Sequence, residues 1–169
     1  MLSGSIGEHG IAVISKREGL CFTSDVQSDT SPLNCLVEAM LRVTKRIHAM
    51  RDPTRGGLAS ALNEIARSSR VGMVVSEEAV PIKPEVRGAC EMLGLDPFYV
   101  ANEGKLVAFV DPDDGETLLE EMRRHDLGKD AAIIGEVREE HPGSVVLKTR
   151  VGGKRLLPCL SGELLPRIC

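Results

Sequence analysis

Cys169, the last residue, carries the side chain in this sequence best suited to group transfer, because a terminal thiol has no following residue to restrain it. Segment 162–169 reads as a flexible tail. Six of its residues, extended at about 3.3–3.6 Å each, reach roughly 20 Å, and Pro166 stiffens part of the arm. The α-carboxylate beside the sulfur disfavours its thiolate, and Arg167 offsets this only in part. Attack on an activated carbonyl would therefore need a base or a positive charge from elsewhere. The competing reading is that the chain simply stops at a cysteine.

Two internal motifs could supply such partners. In Arg51-Asp52-Pro53-Thr54-Arg55-Gly56-Gly57 the glycines let backbone approach a ligand, the N–H groups of a following helix attract anions, and Arg55 adds fixed positive charge. A phosphate fits that set, with Asp52, Thr54, Arg55, Gly56 and Gly57 as its candidate contacts. The alternative is a turn in which Asp52 or Thr54 caps the helix. No Gly-Lys-Ser/Thr follows, so the motif is not a P-loop. In Asn102-Glu103-Gly104-Lys105, Glu103 is a candidate general base if the fold sets it against a ligand. The alternative is a tight turn with Gly104 at positive φ and Glu103 in solvent.

The four histidines, His9, His48, His125 and His141, lack an i, i+4 pairing and read as surface or capping residues. Of five cysteines, Cys21, Cys35, Cys90 and Cys159 read as ordinary reduced residues, buried in the main, because no C-x-x-C or other zinc spacing occurs. No metal site is assigned.

The elements that must position these groups alternate. Ile11 to Ser15 is a short apolar segment of ambiguous type. Ser31-Pro32 opens a helix whose apolar stripe runs from Leu33 through Met40 to about Arg46. A short strand at Ile47 to Met50 leads through the glycine motif into a helix over Gly57 to Ser69. Strand Val71 to Val75 and helix Pro84 to Leu93 follow. Phe98 to Ala101, Leu106 to Val110 and Ala131 to Val137 read as strands, and Asp113 to His125 as a helix. Val145 to Thr149 and Arg155 to Leu157 flank Val151-Gly152-Gly153-Lys154, a hairpin turn. Interleaved helices and strands give an α+β or α/β class, a mixed sheet covered by helices.

At 169 residues the chain fits a single domain with a proper core. Net charge −4, no Trp, one Tyr and three Phe leave neither a basic surface nor stacking platforms, which sets nucleic acid aside. No stretch approaches the roughly 18 apolar residues of a membrane span, and residues 1–7 lack the form of a signal peptide, so the expected compartment is the cytoplasm.

Four stretches together resemble a known family: Ile6 to Ala12, Asp52 to Ala59, Asn102 to Leu106 and the terminal Pro166-Arg167-Ile168-Cys169. They are similar to the C-terminal half of the HypE hydrogenase maturation proteins, relatives of aminoimidazole ribonucleotide synthetase and selenophosphate synthetase. The resemblance runs from about residue 3 to the end. It implies an α+β fold like the C-terminal domain of aminoimidazole ribonucleotide synthetase. It also implies that Cys169 receives a carbamoyl group from the carbamoyltransferase HypF. ATP then drives dehydration to an S-bound cyanide, which passes to the iron on the HypC–HypD scaffold. Glu103 takes the role of base, and Asp52, Thr54, Arg55, Gly56 and Gly57 fall where phosphate or interdomain contacts are expected.

In that family a preceding half carries most of the ligands for ATP and Mg2+ and forms the homodimer. This chain alone is therefore expected to bind ATP weakly or not at all and to be inactive. A non-catalytic module that docks maturation partners, and half of a selenophosphate synthetase-like ATP-dependent enzyme, are the rival readings.

Overall fold

The structure, a computed structural model, describes residues 1–20 and 26–159. Two sheets organise it. Strand β1 (Ile47–Arg51) runs antiparallel to β3 (Val107–Val110), with an irregularity between Ile47 and Ala49. The second sheet has the order β4-β2-β5-β6, from β2 (Gly72–Ser76), β4 (Gly135–Arg138), β5 (Val145–Lys148) and β6 (Lys154–Leu156). Its β2–β5 pair is parallel and its other pairs are antiparallel, so the expected mixed sheet is present. The β1–β3 ribbon stands beside it as a separate sheet.

The first residues join β3 to the segment ahead of β4. Leu2 donates its N–H to the Ala132 carbonyl at 2.9 Å and accepts from Ala132 N–H at 3.0 Å, while it also bridges to Val107. Ser3 N–H reaches the Leu106 carbonyl at 3.0 Å. Backbone groups in so buried a stretch need partners, and the segments leading into β3 and β4 supply them.

Among the described residues five α-helices cover the sheets: α1 (Glu8–Glu18), α2 (Asn34–Val43), α3 (Gly57–Ser69), α4 (Pro84–Leu93) and α5 (Gly115–Arg124). On α3 the residues Leu58, Ala61, Leu62 and Ala66 form one buried stripe against Met73, Val75 and Leu147 of the four-stranded sheet. The expected inward face of α5, Leu118, Leu119 and Met122, packs on Leu36 and Met40 of α2 and on Leu106 and Ala108. Burying a Leu or Met fully is worth about 1.5–3 kcal/mol, so these two faces fix where the helices lie. A third, smaller cluster joins Ile11 of α1 to Val86, Ala89 and Cys90 of α4 and to Val100.

Several boundaries differ from the sequence reading. The ambiguous segment 11–15 lies inside α1. Helix α2 starts at Asn34, two residues past Pro32, and stops at Val43. The expected strand at 98–101 is instead a single 3-10 turn, Pro97–Tyr99. The Asp96 carboxylate accepts from Phe98 N–H at 3.0 Å, and Pro97 pre-sets the first turn position. The expected strand 131–137 begins only at Gly135, because Ala132 is taken up by its bridge to Leu2. The Gly152 hairpin forms as expected, with Gly152 at φ 86 and Gly152 N–H on the Thr149 carbonyl at 3.0 Å.

Candidate active site

Asn102 ties three of the sequence motifs together. Its Oδ1 accepts the Gly7 N–H at 2.7 Å, at the start of α1. Its Nδ2 donates to the Pro53 carbonyl at 2.9 Å, inside the glycine motif, and to the Val100 carbonyl at 3.1 Å. Its own N–H also points to the Pro53 carbonyl, at 3.3 Å. The side chain is fully buried, so each bond it makes replaces one to water. Asn102→Ala would strand buried polar groups on three segments. We expect it to cost about 3 kcal/mol, within the range for unsatisfied buried groups. Urea unfolding of the chain measures this, and a cost below about 1 kcal/mol would mean that water replaces the amide.

The glycine motif sits as expected in a strand-turn-helix connection, between β1 and α3. Its glycines work differently from the expectation. Gly57 has φ 63, and a Cβ on it would come within 2.6 Å of the Phe98 carbonyl oxygen and 2.7 Å of that of Val100. The close approach is thus to the chain's own 98–100 backbone. Gly57 N–H is taken by the Thr54 carbonyl at 3.0 Å. Gly56, at φ 76, is the N-cap of α3, and no side chain caps that helix, so neither Asp52 nor Thr54 plays the capping part. Asp52 and Arg55 are exposed and Thr54 is half-buried. Arg51 is already engaged with Glu64 of α3 in an ion pair. What remains available for an anion is Arg55 and the Thr54 hydroxyl beside the α3 N-terminus.

Glu103 lies one residue past this hub, half-buried. Its N–H donates to Asp29 Oδ1 at 3.0 Å. Gly104 follows, without a positive φ: its lack of Cβ matters because a Cβ there would fall 1.8 Å from the Asp29 carbonyl oxygen. The Lys105 ammonium then meets Asp29 Oδ2 at 3.2 Å and Glu8 Oε2 at 3.8 Å. Glu8, in the first turn of α1, accepts from the Ser5 hydroxyl at 2.6 Å and pairs with Lys83 ahead of α4. That hydrogen bond to Glu8 is the main cause holding the Lys83 ammonium above its ordinary range. Two carboxylates whose side chains are only 1% and 8% exposed are thereby balanced by two lysines.

The structure therefore brings together Glu103 and the glycine motif through Asn102, and sets Asp29 against the Glu103 N–H, with Lys105 linking Asp29 to Glu8; the sequence assigns a role to none of these three. Cys169, the tail 162–169 and Cys21 lie outside the described residues. Among the other thiols Cys90 is buried, Cys159 half-buried and Cys35 exposed, contrary to the expectation of general burial. The described residues hold no group of three or more His, Cys, Asp or Glu side chains that could bind a metal ion, so magnesium finds no ready set of ligands among them. His9 bonds Ser28 Oγ through Nδ1 at 2.8 Å, and His125 caps a turn by accepting from Leu127 N–H at 3.2 Å. No helix among the described residues is long and apolar enough to cross a membrane.

A mixed sheet beneath α3, with a strand-turn-helix glycine motif latched to an acidic loop, defines the class. The chain matches the family described as AIR synthase related protein, C-terminal domain, over residues 1–148, and belongs to it. Over 169 residues, all of this chain and 48% of the relative, it is 54% identical to the carbamoyl dehydratase HypE of Cupriavidus necator. It is similar to a crystal structure of the hydrogenase maturation protein HypE in complex with ATP, at 46% identity and TM-score 0.93, over 99% of this chain and 51% of that one. It is likewise similar to HypE in a crystal structure of a HypE–HypF complex, at 45% identity and TM-score 0.90, over 94% of this chain and 52% of that one. The chain spans about half the length of the curated relatives it matches.

Proposed function

We propose that this chain is the thiol- and base-bearing part of a hydrogenase-maturation carbamoyl dehydratase. The observation that carries the reading is the acidic loop: a half-buried glutamate whose N–H is held by Asp29 and whose preceding residue, Asn102, is tied to the glycine motif, where Arg55 is exposed. A loop that only turned the chain would need no such anchoring. The likeness of the whole of this chain to about half of a carbamoyl dehydratase supports the reaction class.

In this reading HypF delivers a carbamoyl group: the Cys169 sulfur forms the new S–C bond, the carbamoyl carbon's bond to its carrier group on HypF breaks, that group leaves, and the thiol proton passes to a base or to water. ATP, a co-substrate, transfers a phosphoryl group to the carboxamide oxygen and turns it into a leaving group. Glu103 takes a proton from the amide nitrogen. Loss of the second nitrogen proton and of phosphate breaks the C–O bond and leaves an S-bound nitrile. Arg55 and the α3 N-terminus sit where they could steady a phosphate. Most nucleotide contacts, and magnesium, belong to the other half of the full-length protein, which also forms the homodimer. The nitrile then goes to the iron on a HypC–HypD scaffold, in the cytoplasm.

Intact-mass analysis of the full-length protein with HypF, carbamoyl phosphate and ATP tests the reading. The expected result is a carbamoyl adduct that loses one water only when ATP is present. A protein that binds HypF but never gains the adduct would instead be a docking module.

A further inference from the structure

Asp29 is an unusual residue for an irregular segment. Its carboxylate is almost entirely out of solvent, although it belongs to no helix or strand. Burying a carboxylate is costly unless it is paired and hydrogen-bonded, so its position calls for an explanation. Each oxygen faces a different residue of one loop. Oδ1 takes the Glu103 N–H at 3.0 Å, and Oδ2 meets the Lys105 ammonium at 3.2 Å. Between them Gly104 presses on the Asp29 main chain so closely that no side chain could stand there. Asp29 thus grips three consecutive residues, with Glu103 at one end.

The grip is itself anchored. Ser28 bonds His9 of α1 at 2.8 Å and Thr30 at 2.7 Å, which flanks Asp29 with fixed neighbours. Lys105 extends the link to Glu8, one residue before His9. The segment around Asp29 is therefore held to α1 twice, and the Glu103 loop is held to that segment.

We infer that Asp29 is a positioning residue for Glu103, fixing where its carboxylate points during dehydration. The inference rests on the reading of Glu103 as the base. A base must be held within a fraction of an ångström of its proton, and a misplacement of about 1 Å costs on the order of 100-fold in rate. Asp29 does this through the backbone of Glu103 and touches no substrate.

The test is Asp29→Leu, which keeps roughly the size of the side chain and removes both the acceptor of the Glu103 N–H and the charge that holds Lys105. In the full-length protein, single-turnover dehydration should slow by about 10- to 100-fold. HypF-dependent loading of Cys169 should change by less than about 2-fold, because loading does not use the base. In this 169-residue chain, the Glu103 amide should exchange its hydrogen about 10-fold faster, while the amides of Met73 and Val75 in the four-stranded sheet keep their protection. If Asp29→Leu fails to fold, the charge-neutral pair Asp29→Leu with Lys105→Met carries the same expectations. Undiminished dehydration by a folded variant, or unchanged exchange at Glu103, overturns the inference. Glu103→Gln is measured alongside. If that variant also dehydrates normally, the base reading has failed, and the exchange of the Glu103 amide alone decides whether Asp29 holds the loop.

Discussion

Cys169→Ala in the full-length protein is expected to abolish the carbamoyl adduct, whereas Cys35→Ala, Cys90→Ala and Cys159→Ala leave it in place. The contrast follows from what each thiol can do. Cys90 is 1% exposed among Ile11, Val86 and Val100, and burial, helped by nearby Asp96, pushes its thiol up to about 11. Such a thiol is scarcely ionised at neutral pH and has no access to a donor. Cys159 is half-buried just after β6, where Tyr99 donates its hydroxyl to the neighbouring Pro158 carbonyl at 2.9 Å and fixes the backbone. Cys35 is exposed, but it sits on α2, a helix whose other face is packed against α5. None of the three can travel between a donor, a dehydration site and an acceptor. Mass spectrometry of the variants decides the matter, and an adduct that survives Cys169→Ala would overturn the proposed chemistry.

Glu103→Gln should separate the two halves of the reaction. Gln keeps the size and the backbone of Glu103, so the N–H bond to Asp29 and the seat of Gly104 are undisturbed. It cannot accept the nitrogen proton. Loading of Cys169 should proceed at the ordinary rate, and ATP-dependent loss of water should fall by about 10²- to 10⁴-fold, the usual contribution of a general base. Stability should stay nearly constant, since the residue is only half-buried. A Gln variant that forms thiocyanate normally would return Glu103 to the role of a turn residue.

Much of the frame was legible because its signals are local. The apolar stripe of α3 after two glycines, Pro84 at the start of α4 and the Gly152 hairpin each follow from residues within one element. Errors arose where a distant residue decided. Ala132 looked like strand, yet its backbone groups are spent on Leu2. Phe98 is the local exception: it reads as strand by its apolar run, yet its neighbours Asp96 and Pro97 turn the chain there. The two sheets could not be told apart, because apolar runs do not say which partner a strand will take.

The site shows the same division. Glu103 and the glycine motif stood out by type and spacing, but Asn102 was read only as a neighbour of Glu103. Its importance lies in three bonds to segments that begin near residues 7, 53 and 100. Asp29 gave no signal at all, since an aspartate after Ser28 looks like ordinary solvated chain until Gly104 and Lys105 are seen against it. Gly57 was noticed for the wrong partner, because a glycine's bare Cα does not announce whether ligand or protein will approach it.

The seam made by the first three residues also governs the order in which this body can assemble. The Met1 amino group donates to the Ala108 carbonyl across 107 residues of sequence, and Leu2 waits still longer, for Ala132. Contacts of such separation form only after a large loop has closed, which slows folding. During synthesis, residues 1–3 must stay unpaired until β3 and the stretch before β4 have followed them. The link between β3 and the stretch ahead of β4 that residues 1–3 provide is therefore closed only after both of its distant partners have been made.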